Sequence, residues 1–352
     1  MKFNDIKLSF GIIYVGLIVL FTLFSLYFDI ADFITSTFGD NIKSVYVYFF
    51  FLILFTLPFD FLSNKNLNSS EDRCIKKIVF GNIVLFLIFI IFISIIYFLF
   101  NLQNLLLAFV FSILMQLLLL ALQGVITPYI FNIQEKSYNH SSLLICANSP
   151  SYITMNILRT LKGPKIVVPI HWVKQNEKNY FFHLERFELI KKMKIDLKSI
   201  IFSISLNSIL FSGIYYYFLN SDYTVSSSII YLSLISNLIS FLYILILPKI
   251  SQNGIINIDS IMKNKDMNLF KENLEIFENY QDKNESRNKA VETIFYPIPS
   301  IETRINVNEK RLGLPNVSRL IIFFASFNLS IIFKGVHGNA GKPENWILPP
   351  SE

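Results

Sequence analysis

The sequence predicts a mainly α membrane protein, with six or seven transmembrane helices and a small cytoplasmic α+β domain. Three observations carry that expectation. Apolar residues make up 53% of the 352-residue chain, more than an ordinary soluble domain holds. They cluster into runs of about twenty, the length a helix needs to cross a bilayer core. Phe occurs 36 times and Gly only 12, which favours long apolar helices over a glycine-rich barrel. The net charge of +6 sits between the apolar runs, where loops facing an anionic cytoplasmic leaflet carry it.

Six runs have spanning length: residues 8–28, 44–62, 78–100, 105–126, 200–219 and 228–247. Lys2 and Lys7 precede the first, and no small-residue cleavage site follows it, so it reads as a retained span. The third and fourth runs are joined by residues 101–104 alone, and the fifth and sixth by 220–226. Each pair should therefore form an antiparallel hairpin. Asp29, Asp32 and Asp40 mark the first loop, whereas Lys65, Arg73, Lys76 and Lys77 mark the second. That asymmetry places the N-terminus in the cytoplasm, with the polar blocks 131–198 and 248–316 on the same side. The first block holds eleven Lys and Arg against five acids. A bacterial cytoplasmic membrane is the expected location.

The organisation expected from these runs is a four-helix transmembrane region at 1–130 and a strand–helix block at 131–199. A hairpin at 200–247 and a helical block at 248–317 follow. Residues 318–333 are apolar but short: a seventh span, a re-entrant piece or a buried helix. The tail, 334–352, carries Gly, Pro and Asn and should be irregular. Within the first block, β-branched content predicts strands at 142–147 and 165–170, with Gly163 and Pro164 as a turn. A helix should start near Lys178 and run through 181–192. Pro248 reads as a helix stop, and 268–280 as an amphipathic helix with Phe270, Leu274 and Phe277 on one face.

Helical spacing puts His183 and Phe187 on one face, with Arg186 and Ile190 beside them. His183, Glu185 and Glu188 could form a metal or acid–base site, or lie on a juxtamembrane helix whose charges are solvated. His171 and Trp172 follow the second strand, without Cys, Asp or Glu at ligand spacing. His140 and His337 are isolated. Cys74 and Cys146 fall in cytoplasmic blocks, where neither a disulfide nor a two-thiol metal site is expected. Gln116 and Gln123 share a face of the fourth run and suit inter-helix hydrogen bonding or a polar path. Asp60, near a span's cytoplasmic end, could reach the interface. The sequence lacks a Gly-rich phosphate loop, a G-x-S-x-G elbow and a basic stripe interleaved with aromatics, so nucleic acid is not an expected partner.

The order of elements across 142–305 resembles the HtpX and CAAX-prenyl-protease family of integral-membrane zinc metallopeptidases. The residues that carry the resemblance are the strand 165–170, the helix at His183, the hairpin 200–247, a helix around 255–263, and the segment 298–305. That last segment agrees with the family's H-P-S-x-E-x-R-I pattern at Pro299, Ser300, Glu302, Arg304 and Ile305. The resemblance implies a peptidase-like α+β domain whose helix 183–187 would carry H-E-x-x-H. Of that motif His183 is kept, Leu184 replaces the general base, and Phe187 replaces the second zinc ligand. Ile255 stands at the third ligand position, Asp259 keeps the carboxylate after it, and Ile298 replaces the histidine of the closing segment. Catalytic zinc takes three protein ligands and an open water position.

The resemblance therefore implies a pseudopeptidase without cofactor: a binding or structural subunit, partnered by the lipid bilayer and another membrane protein. The irregular tail suits docking to that partner. An active zinc endopeptidase would need displaced ligands, with His171, His183 and Asp259 or Glu185 as the candidates. A transporter or channel would need a path through Gln116, Gln123 and Asp60. The pseudopeptidase expectation requires Leu184, Phe187, Ile255 and Ile298 to gather beside His183.

Overall fold

A computed structural model of the chain describes residues 3–67, 75–130, 133–138, 141–146, 155–160, 163–173, 177–280, 287–307, 311–336, 339–343 and 346. The chain divides into two compact units. Unit 1 comprises Met1–Gln116, Ile204–Tyr243 and Ile321–Ile347, and unit 2 comprises Leu117–Ser203, Ile244–Leu320 and Leu348–Glu352.

The first helices are α1 (Phe3–Tyr27), α2 (Ile30–Phe38), α3 (Ile42–Leu67), α4 (Ile75–Leu102) and α5 (Leu105–Ile130). A sheet follows, made of β1 (Ile133–Tyr138), β2 (Ser141–Cys146), β3 (Asn156–Thr160) and β4 (Gly163–Pro169). Then come α6 (Ile170–Val173), α7 (Glu177–Lys192), α8 (Ile195–Leu219), α9 (Val225–Ile246), α10 (Pro248–Lys263) and α11 (Met267–Tyr280). Three short helices close the chain: α12 (Lys289–Phe295), α13 (Ile301–Asn306) and α14 (Val317–Phe324).

Among the described residues, six helices are long and apolar enough to cross a membrane, and they fall on the six apolar runs. Their outward positions keep large apolar side chains exposed, among them Leu20, Phe24, Phe80 and Leu106, as contact with lipid requires. Inside unit 1 the packing is aromatic. Phe49 meets Phe89 at 5.2 Å between ring centroids, and Phe327 meets Phe92 at 5.5 Å and Phe211 at 5.1 Å. The first loop contains α2, an unforeseen short helix that buries Ala31, Ile34 and Thr35.

In unit 2 the strand order is β1-β2-β4-β3, with β2 and β4 parallel and the outer pairs antiparallel. The strands expected at 142–147 and 165–170 are β2 and β4. Gly163 and Pro164 begin β4 itself, and Gly163, paired with Thr160, takes φ 106°, a conformation open to glycine. Behind the sheet, Ile166, Val168, Trp172, Phe187, Ile190 and Ile258 form one apolar core. Phe182, Met262, Phe270, Leu274 and Ile301 form a second. The helix α7 contributes to both.

The helix α9 stops at Ile246, just before Pro248, and Pro248 then begins α10, where its missing N–H costs nothing. Of the three alternatives for residues 318–333, the buried helix describes the first part: α14 ends at Phe324, and a 3₁₀ turn, Ile332–Lys334, follows irregular backbone. The described part of the tail is irregular as expected, yet buried within unit 1, including Lys334, Val336, Asn339 and Trp346.

Candidate functional site

The site lies in unit 2, where α7 packs on α10 and α11. One face of α7 repeats every three or four residues as Phe182, His183, Arg186, Phe187 and Ile190, all buried, while Phe181 and Glu185 are exposed. A sixteen-residue helix with that alternation must seat its apolar stripe inward. His183 thus enters the interior one turn before Phe187.

His183, Phe187, Ile255 and Ile298 meet around a cavity of about 20 Å³, with Arg186 and Arg304 also in its wall. That volume holds about one water molecule. Ile255 arrives from α10, and Ile298 from the turn ahead of α13. Residues from three separate stretches, aligned only through the resemblance, thus share one small space. Leu184 does not join them. It is half-buried and packs on the sheet-side core, because successive helical residues point about 100° apart.

Around the cavity the charges are paired. Arg304 reaches Asp259 with Nε donating to Oδ2 at 2.6 Å and Nη2 donating to Oδ1 at 2.9 Å. Arg186 Nε donates to Asp259 Oδ1 at 3.4 Å. All three side chains are buried. The His183 ring lies edge-on to Trp172, 4.7 Å between centroids with planes at 84°. Burial first, then the guanidinium groups of Arg186 and Arg304, lower its pKa to about 3, so the imidazole is neutral at physiological pH.

The closing segment is built by local chemistry. Ser300 caps α13, its Oγ accepting from Thr303 N. The Glu292 carboxylate accepts from Ser300 N at 3.1 Å and from Ser300 Oγ at 2.8 Å. Pro299 is buried and Glu302 is exposed, so of the charged residues in this segment only Arg304 enters the site. Nothing in the sequence around Trp172 signals its contact with His183. Arg186 lies on the His183 face of α7, a placement helical spacing already gives.

The other candidates lie elsewhere. Glu185 is exposed and pairs with Lys265, and Glu188 lines an open groove beside Lys191 and Lys192. The side chains of His171, Cys146 and Phe277 are outside the described residues, as are Cys74, His140 and His337. Gln116 Nε2 donates to Ser208 Oγ at 2.8 Å, the inter-helix bonding expected of it, and to Ser112 Oγ on its own helix at 3.1 Å. Gln123 is buried. Asp60 is fully buried and paired with Lys334.

Zinc, the metal of the family that the chain resembles, does not fit the described residues here. Of the cavity's lining, only His183 is a ligand of the kind zinc takes. The neighbouring carboxylate, Asp259, is engaged by two guanidinium groups. Among the described residues no group of three His, Cys, Asp or Glu could hold a metal ion. Compared with known proteins, the chain matches no family model, no curated protein and no solved structure. Among the described residues, the fold and site together define a mainly helical protein with six helices long and apolar enough to cross a membrane, a four-stranded sheet and a buried His–Arg–Asp cluster.

Proposed function

We propose that this chain is a non-catalytic integral-membrane pseudopeptidase. On this reading it keeps the frame of the HtpX and CAAX-prenyl-protease metallopeptidases, and it acts as a binding or structural subunit of a membrane protein complex. The observation that carries the reading is the convergence of Phe187, Ile255 and Ile298 on His183 around a cavity the size of one water. In a frame of that family those positions would surround the metal and its water. Here they are apolar, and a desolvated charge beside them would be costly. The guanidinium groups of Arg186 and Arg304 both face the single carboxylate of Asp259, which offsets one of the two positive charges.

The polar blocks and the N-terminus face the cytoplasm of a bacterial cell on this reading, since basic residues border the intervals 65–77 and 191–198. Its partner is another membrane protein, which contacts the exposed apolar faces of the spans.

The test is proteolysis with purified protein in detergent, against an unfolded protein substrate, with and without added zinc and a chelator. No chelator-sensitive cleavage is expected. Cleavage that the chelator stops, and that His183→Ala abolishes, would establish the active peptidase with displaced ligands instead.

A further inference from the structure

In unit 1 the described residues after α14 stay within the bundle and form no regular structure beyond the 3₁₀ turn Ile332–Lys334. The spans bond its backbone directly. Asn207 Nδ2 donates to Phe324 O at 3.2 Å, Ser233 Oγ donates to Leu329 O at 2.8 Å, and Ile331 N donates to Asn237 Oδ1 at 3.0 Å. Leu329 takes φ 64°, a strained value for a branched side chain. Irregular backbone at membrane depth persists only where protein groups satisfy it.

Lys334 follows immediately. Its Nζ donates to Thr56 Oγ1 at 2.9 Å, to Asp60 Oδ2 at 2.8 Å and to Asn82 Oδ1 at 2.9 Å, which uses all three ammonium hydrogens. Asp60 Oδ1 accepts from Tyr14 OH at 3.1 Å, and its Oδ2 also accepts from Asn82 Nδ2 at 3.1 Å. The Trp346 ring covers the ammonium 4.4 Å from its centroid. Both charged side chains are fully buried. Tyr14, Thr56, Asp60 and Asn82 all belong to helices long and apolar enough to cross the membrane.

We propose that residues 325–336 form a strap drawn into the helical bundle of unit 1 and latched there by the Asp60–Lys334 pair. A charge at that depth is expensive, and a lone one far more so than a pair. Asp60 and Lys334 are 274 residues apart in sequence, so the pair closes only after the spans carrying Asp60 and Asn82 have assembled. The latch therefore couples the seating of the C-terminal segment to completion of the bundle. It also keeps the strap from serving as a free docking arm.

The test places Ser330→Cys as a reporter in a background carrying Cys74→Ser and Cys146→Ser, in native membranes. Leu312→Cys, at a residue 98% exposed, serves as the labelling control. With the latch intact, Ser330→Cys is protected from a maleimide. Asp60→Asn and Lys334→Gln, each alone, strand one buried charge and speed its labelling by roughly tenfold or more. The double variant, Asp60→Asn with Lys334→Gln, restores most of the protection. If the single variants do not accumulate, recovery of accumulation in the double variant carries the same test. Unchanged protection in the singles, or a double variant as exposed or as poorly accumulated as they are, overturns the proposal.

Discussion

Arg304 grips Asp259 with two nitrogens, at 2.6 and 2.9 Å, and Arg186 approaches the same carboxylate at 3.4 Å. One buried acid thus ties the segment after Pro299 to α10 and α7. Asp259→Ala leaves two guanidinium groups buried without their counter-charge and should cost about 3–5 kcal/mol. Arg304→Lys should also lose stability, because an ammonium cannot make the paired contact. Thermal unfolding in detergent measures both. A loss below about 1 kcal/mol for Asp259→Ala would show that the cluster does not hold the site together.

His183 makes stability depend on pH. Its folded pKa of about 3 lies below the ordinary 6.5, so between those values the unfolded chain binds more protons. The contribution is whole above pH 6.5 and falls as the pH drops towards 3, by at most about 1.4 kcal/mol per pH unit. The charged groups that face the ring are Arg186, Arg304 and Asp259. His183→Asn should therefore flatten the acid limb of a stability–pH profile between pH 6.5 and 4. Parallel profiles for the two proteins would contradict this.

Phe187 lines the cavity and also belongs to the core against the sheet. Phe187→Ala should cost about 3–5 kcal/mol, and Phe187→Leu appreciably less. Equal and small losses would mean that the position is loosely packed.

The helix carrying Ile255 passes very close to the loop before α14. A Cβ at Gly254 would fall 2.2 Å from Pro315 N and 2.4 Å from Leu314 C, both backbone atoms. Gly254→Ala should cost about 1–3 kcal/mol through forced displacement. Wild-type stability in that variant would contradict the close approach.

Much of this was legible in the sequence, for definite reasons. Spans announce themselves by length and composition alone, and the face of α7 by its helical repeat. Ile255 and Ile298 could be placed beside His183 only through the resemblance, since neither carries a chemical signal of its own. The strands β1 and β3 were not foreseen: Ile133–Tyr138 carries Gln, Glu and Lys, and Asn156–Thr160 is five residues long. As the outer strands of the sheet, they need no continuous apolar run. Leu184 was grouped with His183 because the motif is adjacent in sequence, whereas helix geometry turns neighbours apart. Asp60 and Lys334 gave no local sign of pairing. A contact across 274 residues leaves no pattern in either neighbourhood, and Lys334 reads as the polar end of an apolar run.

The most direct measurement is the metal content of the protein purified without chelators, by elemental analysis against protein concentration. Apolar side chains at the three positions around His183 predict well under one zinc per chain, unchanged by His183→Ala. About one zinc per chain, lost in that variant, would contradict the reading of this interior as a peptidase frame closed to metal.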